Sequence, residues 1–233
     1  MKPKNHKTIA LIPARAGSKR LINKNLLLLS GKPLIAWTID AALNCPAIDR
    51  VVVSTDSVDI KNVSTEFGAE VPFMRPGSLG RDKSTTDEVI MHAIEELNLS
   101  PDDILVLLQP TSPLRDAEDI NSVLIEFNDL TVEGVVTVCE CEHSPMWSNI
   151  LAEDRKMGDF IKPDLVNKRS QDLPVFYRLN GAIYAYRVTY LIKHKSRFYS
   201  DKIKAGIMST CKSVDIDSQL DFNFAEFLIQ QNY

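Results

Sequence analysis

The sequence predicts an α/β protein with a mainly parallel sheet, and three observations lead there. Short apolar runs recur at residues 9–12, 51–54, 104–108 and 134–138. Longer helix-like stretches at 34–43, 57–67, 86–97 and 117–128 lie between them, and strands alternating with helices of this length imply parallel strands covered by helices on both faces. Polar residues follow the strands at Arg15, Asp56 and Gln109. In such sheets, ligands gather beyond the carboxyl ends of the strands.

In the first run, Ile9, Ala10, Leu11 and Ile12 are apolar without alternation, as expected of a central strand buried on both faces. Pro13 ends its ladder. Ala16-Gly17-Ser18 add little bulk, so backbone N–H groups can approach an anion closely, and Arg15, Lys19, Arg20 and Lys24 supply positive charge. Arg grips phosphate in a bidentate fork and Lys acts as a mobile point charge. Neither G-x-x-x-x-G-K-[S/T] nor G-x-G-x-x-G occurs here, so a phosphate seat would be of another class. The plain alternative is a strand-to-loop connection with solvated cations.

The helix 34–43, the strand 51–54 and the helix 57–67 continue the alternation. At the start of 86–97, Thr86 has the character of an N-cap ahead of Glu88. The strand 104–108 leads into the proline-flanked Gln109, and 117–128 with 134–138 repeats the helix and strand pattern. From 142 to 179 the pattern breaks, with Pro145, Pro163 and Pro174 and charge without a period. This stretch reads as an excursion from the core. Met146, Trp147, Ile150 and Leu151 favour an interface there over a long surface loop. Asp215-Ile216-Asp217 places two carboxylates at i and i+2 of an extended segment, where they project to one side and can share a hard cation. Two solvated carboxylates are the alternative.

At 233 residues the chain has room for one domain with a sizeable core. Its net charge of −4 provides no global basic field, so a small anionic ligand fits better than nucleic acid. Cys45, Cys139, Cys141 and Cys211 form no C-x-x-C, and the short polar start resembles no signal peptide, so a cytoplasmic chain with reduced thiols is expected. Cys139, Cys141 and His143 do not make four converging metal ligands. No apolar run approaches the ~20 residues that cross a bilayer, so no membrane partner is expected.

The run IPARAGSKRLINKN, followed by Ser30-Gly31-Lys32-Pro33-Leu34-Ile35, resembles the opening signature of the bacterial CMP-sialic acid synthetases, the acylneuraminate cytidylyltransferase family. Val53-Ser54-Thr55-Asp56, the block from Leu107 to Arg115, Arg178-Leu179-Asn180-Gly181-Ala182-Ile183-Tyr184 and Ser213-Val214-Asp215-Ile216-Asp217 are similar to its later motifs. Five blocks in order span almost the whole chain.

The resemblance implies a Rossmann-like nucleotidyltransferase, residues 1–233 forming one cytidylyltransferase domain with 142–179 as a dimerisation element. It implies CTP and a nine-carbon α-keto acid sugar (a nonulosonic acid) as substrates, Mg2+ as cofactor and a homodimer. Arg15, Ser18, Lys24 and Asn25 are implied to hold CTP, joined by Arg75 and Thr86. Arg75 could instead be a surface ion pair, and Thr86 only a cap. Asp215 and Asp217 are the implied metal ligands, acting in catalysis with Arg15 and Lys24. Gln109, Arg169, Arg178, Asn180 and Tyr184 are the implied sugar-acid residues, though Tyr184 also suits core packing. One departure stands out: Trp147 follows His143-Ser144-Pro145-Met146 where members acting on ordinary sialic acid can carry a Lys. An indole there suits a less hydroxylated sugar such as legionaminic acid, with interface packing as the alternative. A cytidylyltransferase for the eight-carbon lipopolysaccharide sugar acid and a non-catalytic CTP-binding regulator are the rival readings.

Overall fold

The computed structural model describes residues 6–17, 20–80, 84–197 and 199–231. Its sheet contains β1 (Thr8–Pro13), β4 (Arg50–Ser54), β5 (Ile104–Leu108), β6 (Gly134–Glu140), β7 (Tyr177–Arg187) and β8 (Ile203–Ile207), in the order β4-β1-β5-β7-β6-β8. β1 runs parallel to β4 and β5, and β6 runs parallel to β8. β7 is antiparallel to both of its neighbours, so it opposes the common direction of the other five. The sheet is therefore mainly parallel, with one reversed strand inserted between its halves. A two-stranded ribbon, β2 (Leu28–Leu29) and β3 (Lys32–Pro33), stands apart from it.

The unalternating strands are covered on both faces. Ala10 and Ile12 pack with Ile35 and Ile39 of α1 (Leu34–Leu43), Ile60 of α2 (Val58–Glu66) and Ile120 and Val123 of α4 (Ala117–Ile125). Ile9 and Leu11 point the other way, into a cluster with Ile90 and Ile94 of α3 (Thr86–Glu96) and Leu191 of α5 (Val188–His194). Each such Ile, Leu or Val side chain contributes about 1.5–3 kcal/mol on full burial. A third cluster joins Leu29, Leu34 and Ile216 to Phe222 and Ala225 of α6 (Gln219–Gln230), and so ties the Asp215–Asp217 segment to the ribbon.

Local chemistry sets the helix starts. Ser57 caps α2 by accepting from the Ile60 N–H at 3.3 Å. The cap of α3 falls on Thr85, one residue earlier than the sequence suggests. Its hydroxyl accepts from the Glu88 N–H while the Glu88 carboxylate accepts from the Thr85 N–H, a reciprocal box that leaves the Thr86 side chain without capping duty. Asp116 and Asp119 cap α4 in the same way.

Between β6 and β7 the chain makes short 3-10 turns at Pro145–Trp147, Pro163–Leu165 and Ser170–Asp172, with no α-helix or strand among them. Ile150, Leu151, Met157 and Val166 are exposed there.

Candidate active site

The site opens at the carboxyl ends of β1 and β5. After Pro13 the chain stays beside β4, with the Ala14 N–H donating to the Ser54 carbonyl at 3.0 Å and the Ala16 N–H to Asp56 Oδ1 at 2.9 Å. Ser18 and Lys19 lie outside the described residues. Asn23 takes a left-handed conformation, which Asn tolerates, and starts the 3-10 turn Lys24–Leu26. Asn25 is buried and donates from Nδ2 to the Arg15 carbonyl at 3.2 Å, holding the two halves of this loop together.

Around it lies a cavity of about 590 Å³, within the range of small-molecule sites. Arg15, Arg20, Lys24 and Arg75 line it with cations, and Thr86 and Gln109 with neutral polar groups. Asp217 lines it too, and is gripped by both Lys24 Nζ (3.1 Å) and Arg20 Nη1 (3.0 Å). Arg75 is the most confined of these cations. Its side chain is 4% exposed and Nη2 lies 3.7 Å from Asp56 Oδ1, yet Nε and Nη2 have no hydrogen-bond partner. Burial lowers its pKa first, Asp56 opposes, and the charge of Arg15 lowers it further. A buried guanidinium with unused donors in a residue that lines a cavity has capacity left for an anionic partner.

Asp215 is not among the lining residues, but it and Gln109 both flank Gly181. A Cβ placed on Gly181 would lie 3.8 Å from Gln109 Oε1 and 3.9 Å from Asp215 Oδ2. Loss of surrounding water raises the Asp215 pKa, Thr111 opposes through a hydrogen bond, and the like charge of Asp217 adds to the rise. Two neighbouring carboxylates are oxygen donors of the kind a hard divalent ion takes. Among the described residues, no group of three or more His, Cys, Asp or Glu is placed to hold a metal.

The remaining expected residues are not in the cavity lining. Arg169 grips Asp172 through two hydrogen bonds on an exposed turn, and Arg178 grips Glu142 likewise. Asn180 is 2% exposed and fully engaged inside the fold. Tyr184 is buried in the second cluster with the Arg197 guanidinium 5.0 Å from its ring centre, and burial raises its pKa. Two structural supports escaped the sequence reading. Thr111 accepts the Ile216 N–H at 2.8 Å. Fully buried Arg115 donates to the Gln109 and Ala182 carbonyls and to Thr38 Oγ1. Both lie in the block around Gln109, where an arginine beside an apolar strand end was the available signal.

A mainly parallel sheet with a cation-lined cleft beyond its strand ends defines an α/β nucleotide-binding enzyme of the nucleotidyltransferase type. The chain belongs to the cytidylyltransferase family, whose model matches residues 9–233. It is 38% identical to the CMP-N,N'-diacetyllegionaminic acid synthase of Legionella pneumophila, covering 96% of this chain and 97% of that one. It is also 38% identical to the N-acylneuraminate cytidylyltransferase of Escherichia coli O18:K1:H7 over 97% of this chain, which spans about half (52%) of that longer protein. A pseudaminic acid cytidylyltransferase of Campylobacter jejuni is 29% identical over 97% of this chain and 98% of its own. The structure of CMP:2-keto-3-deoxy-manno-octonic acid synthetase complexed with CTP shares the fold, with a TM-score of 0.73 at 18% identity over 97% of this chain and all of that one. The kinship expected from the motifs thus holds across the chain.

Proposed function

We propose that the chain joins CMP from CTP to the anomeric hydroxyl of a nine-carbon α-keto acid sugar and releases pyrophosphate. The observation that carries this reading is the cleft itself, lined by Arg15, Lys24, Arg75 and Gln109, of which Arg75 is buried with donors unused. Arg15, Lys24 and Arg75 hold the triphosphate, and Asn25 and Thr86 face the nucleoside. Gln109 bonds the sugar, as a side-chain amide can serve both hydroxyl and acyl groups. Arg178 and Arg169, released from Glu142 and Asp172, are the partners for its carboxylate, and Tyr184 backs that end of the site.

In the reaction the sugar oxygen forms a bond to the α-phosphorus while the bond from that phosphorus to the bridging oxygen of pyrophosphate breaks. The hydroxyl proton passes to a carboxylate of the site that is not holding the metal, or to solvent. Asp215 and Asp217 would hold Mg2+, which supplies charge neutralisation at the phosphates when bound. Positioning and electrostatics supply the remainder of the rate.

The Legionella relative, matched over nearly the full length of both chains, favours a legionaminic acid as acceptor, and Trp147 in place of a cation agrees with it. Exposed Ile150, Leu151, Met157 and Val166 support residues 142–179 as a dimer interface, and four unpaired cysteines suit a reducing cytoplasm. No helix among the described residues is long and apolar enough to cross a membrane.

The test is pyrophosphate release from CTP and Mg2+ with di-N-acetyllegionaminate, N-acetylneuraminate, pseudaminate and the eight-carbon acid offered separately. Release with one nine-carbon acid, legionaminate first, is expected. Release with the eight-carbon acid alone would move the assignment to that class. CTP binding with no release on any of the four would indicate a regulator.

A further inference from the structure

β7 is irregular where it passes the site. On β6 the partners of Tyr184 and Leu179 are Val136 and Val138, so extra residues of β7 are looped out across from Thr137. Gly181 adopts φ +76°, which glycine reaches without the cost an L side chain incurs. The loop drives Asn180 inward, where its amide is fully used. Oδ1 accepts from Thr137 Oγ1 at 2.7 Å and from the Ala182 N–H at 3.1 Å, while Nδ2 donates to Ser213 Oγ at 3.0 Å and approaches Met208 Sδ at 3.3 Å. No donor or acceptor remains for a sugar.

The partners say what this amide does. Thr137 lies on β6, Met208 directly follows β8, and Ser213 lies two residues before Asp215. The Ser213 hydroxyl donates onward to the Ser209 carbonyl at 2.7 Å, closing the turn that leads to Asp215. On the far side of Asp215, the Ile216 N–H is fixed to the Thr111 carbonyl. Asp215 is therefore held from both directions, by Asn180 through Ser213 and by the Gln109 loop through Thr111. Gly181, next to Asn180, fits against both Gln109 and Asp215.

We infer that Asn180 is a positioning residue that sets Asp215 against Gln109 through Ser213, and that it does not touch the acceptor. This rests on the proposed function only in taking Asp215 and Gln109 as members of the reaction centre. A neutral amide surrounded by two hydroxyls, a backbone N–H and a thioether is satisfied without water, so the linkage is rigid.

Ser213→Ala removes the relay and leaves Asn180 in place. Hydrogen exchange without substrate is expected to speed up in the 209–217 segment and to stay unchanged in β1 and β5. In turnover, kcat is expected to fall about tenfold or more with KM for CTP and acceptor nearly unchanged, as for a small misplacement of a reacting group. In the Asp215→Asn background, Ser213→Ala is expected to cost nothing further, because a residue acting through another loses its effect when that other is gone. Unchanged exchange at 209–217, or losses that multiply in the double variant, would overturn the inference. So would a rise in acceptor KM with kcat intact. Wild-type chain that releases no pyrophosphate with any acceptor would be a different failure, that of the functional reading, and the same exchange measurement on Asn180→Ala would still decide whether Asn180 holds the segment.

Discussion

Lys24 Nζ lies 3.1 Å from Asp217 Oδ1 and 2.5 Å from the carbonyl oxygen of Ile216, so the segment expected to hold the metal also occupies the cation expected to hold the triphosphate. Arg20 grips the other oxygen of the same carboxylate. Asp217 thus competes with any phosphate for both cations. Asp217→Asn is therefore expected to tighten CTP binding in the presence of a chelator by up to about fivefold, the value of an ion pair of ~1 kcal/mol, while turnover with metal falls sharply. Titration calorimetry without divalent ions reads the first effect. Weaker metal-free binding would contradict it.

Glu142 plays a similar part for Arg178. The guanidinium bonds Glu142 at 2.6 and 3.3 Å, and this hydrogen bonding lowers the Glu142 pKa below its ordinary 4.5. A depressed carboxyl stabilises the fold above its unfolded pKa, and that contribution fades as pH falls through the lower folded value, so the pair is intact at neutral pH. Glu142→Gln is expected to free Arg178 and lower KM for the acceptor two- to fivefold, on the order of one exposed ion pair, with KM for CTP unchanged. Steady-state kinetics with each substrate varied separates the two constants. An unaltered acceptor KM would remove Arg178 from the carboxylate role.

Gly80 faces Asp56 so closely that a Cβ there would overlap the carboxylate. That carboxylate accepts the Ala16 N–H and faces Arg75, which makes it the joint between the first loop and the buried cation. Gly80→Ala is expected to lower stability by about 1–3 kcal/mol through overpacking and to weaken CTP binding as Ala16 and Arg75 shift. Denaturant melts and CTP titration on the same samples check both. Wild-type CTP affinity would contradict the role given to Asp56.

Arg115 supports the site from beneath. Burial lowers its pKa to about 10, with Asp119 and Asp116 opposing, so it remains a cation at neutral pH. A depressed cation costs stability uniformly below the folded value, and that cost is relieved only as pH rises through about 10, so this group adds no slope near neutrality. Arg115→Met leaves the Gln109 and Ala182 carbonyls and the Thr38 hydroxyl without their donor. A loss of about 3 kcal/mol or more is expected in urea unfolding. A loss under about 1 kcal/mol would show that these groups find other partners.

Much of this was legible because the parallel strands carry their signal locally. Ile9 to Ile12 must be covered on both faces, and α1 occupies Leu34–Leu43 as its pattern predicts. The rim formed by Arg15, Asp56 and Gln109 followed from strand ends alone. β7 was not legible as a strand, because its first half carries the polar residues Arg178 and Asn180 and its pairing slips opposite Thr137. The cap of α3 moved by one residue because Thr85 and Thr86 are the same residue type and only the Glu88 geometry separates them. The interior engagement of Asn180 depends on contacts with Thr137, Met208 and Ser213, all at least 28 positions away, which no local pattern records.

The most direct test follows the α-phosphate. The protein is incubated with CTP labelled at the α-phosphorus, Mg2+ and di-N-acetyllegionaminate, and the label is traced between nucleotide, sugar product and pyrophosphate. The account predicts label in a CMP-sugar formed one for one with unlabelled pyrophosphate, and loss of that product in Asp215→Asn. Labelled CTP that binds the protein yet passes no label to any nine-carbon acid would contradict it.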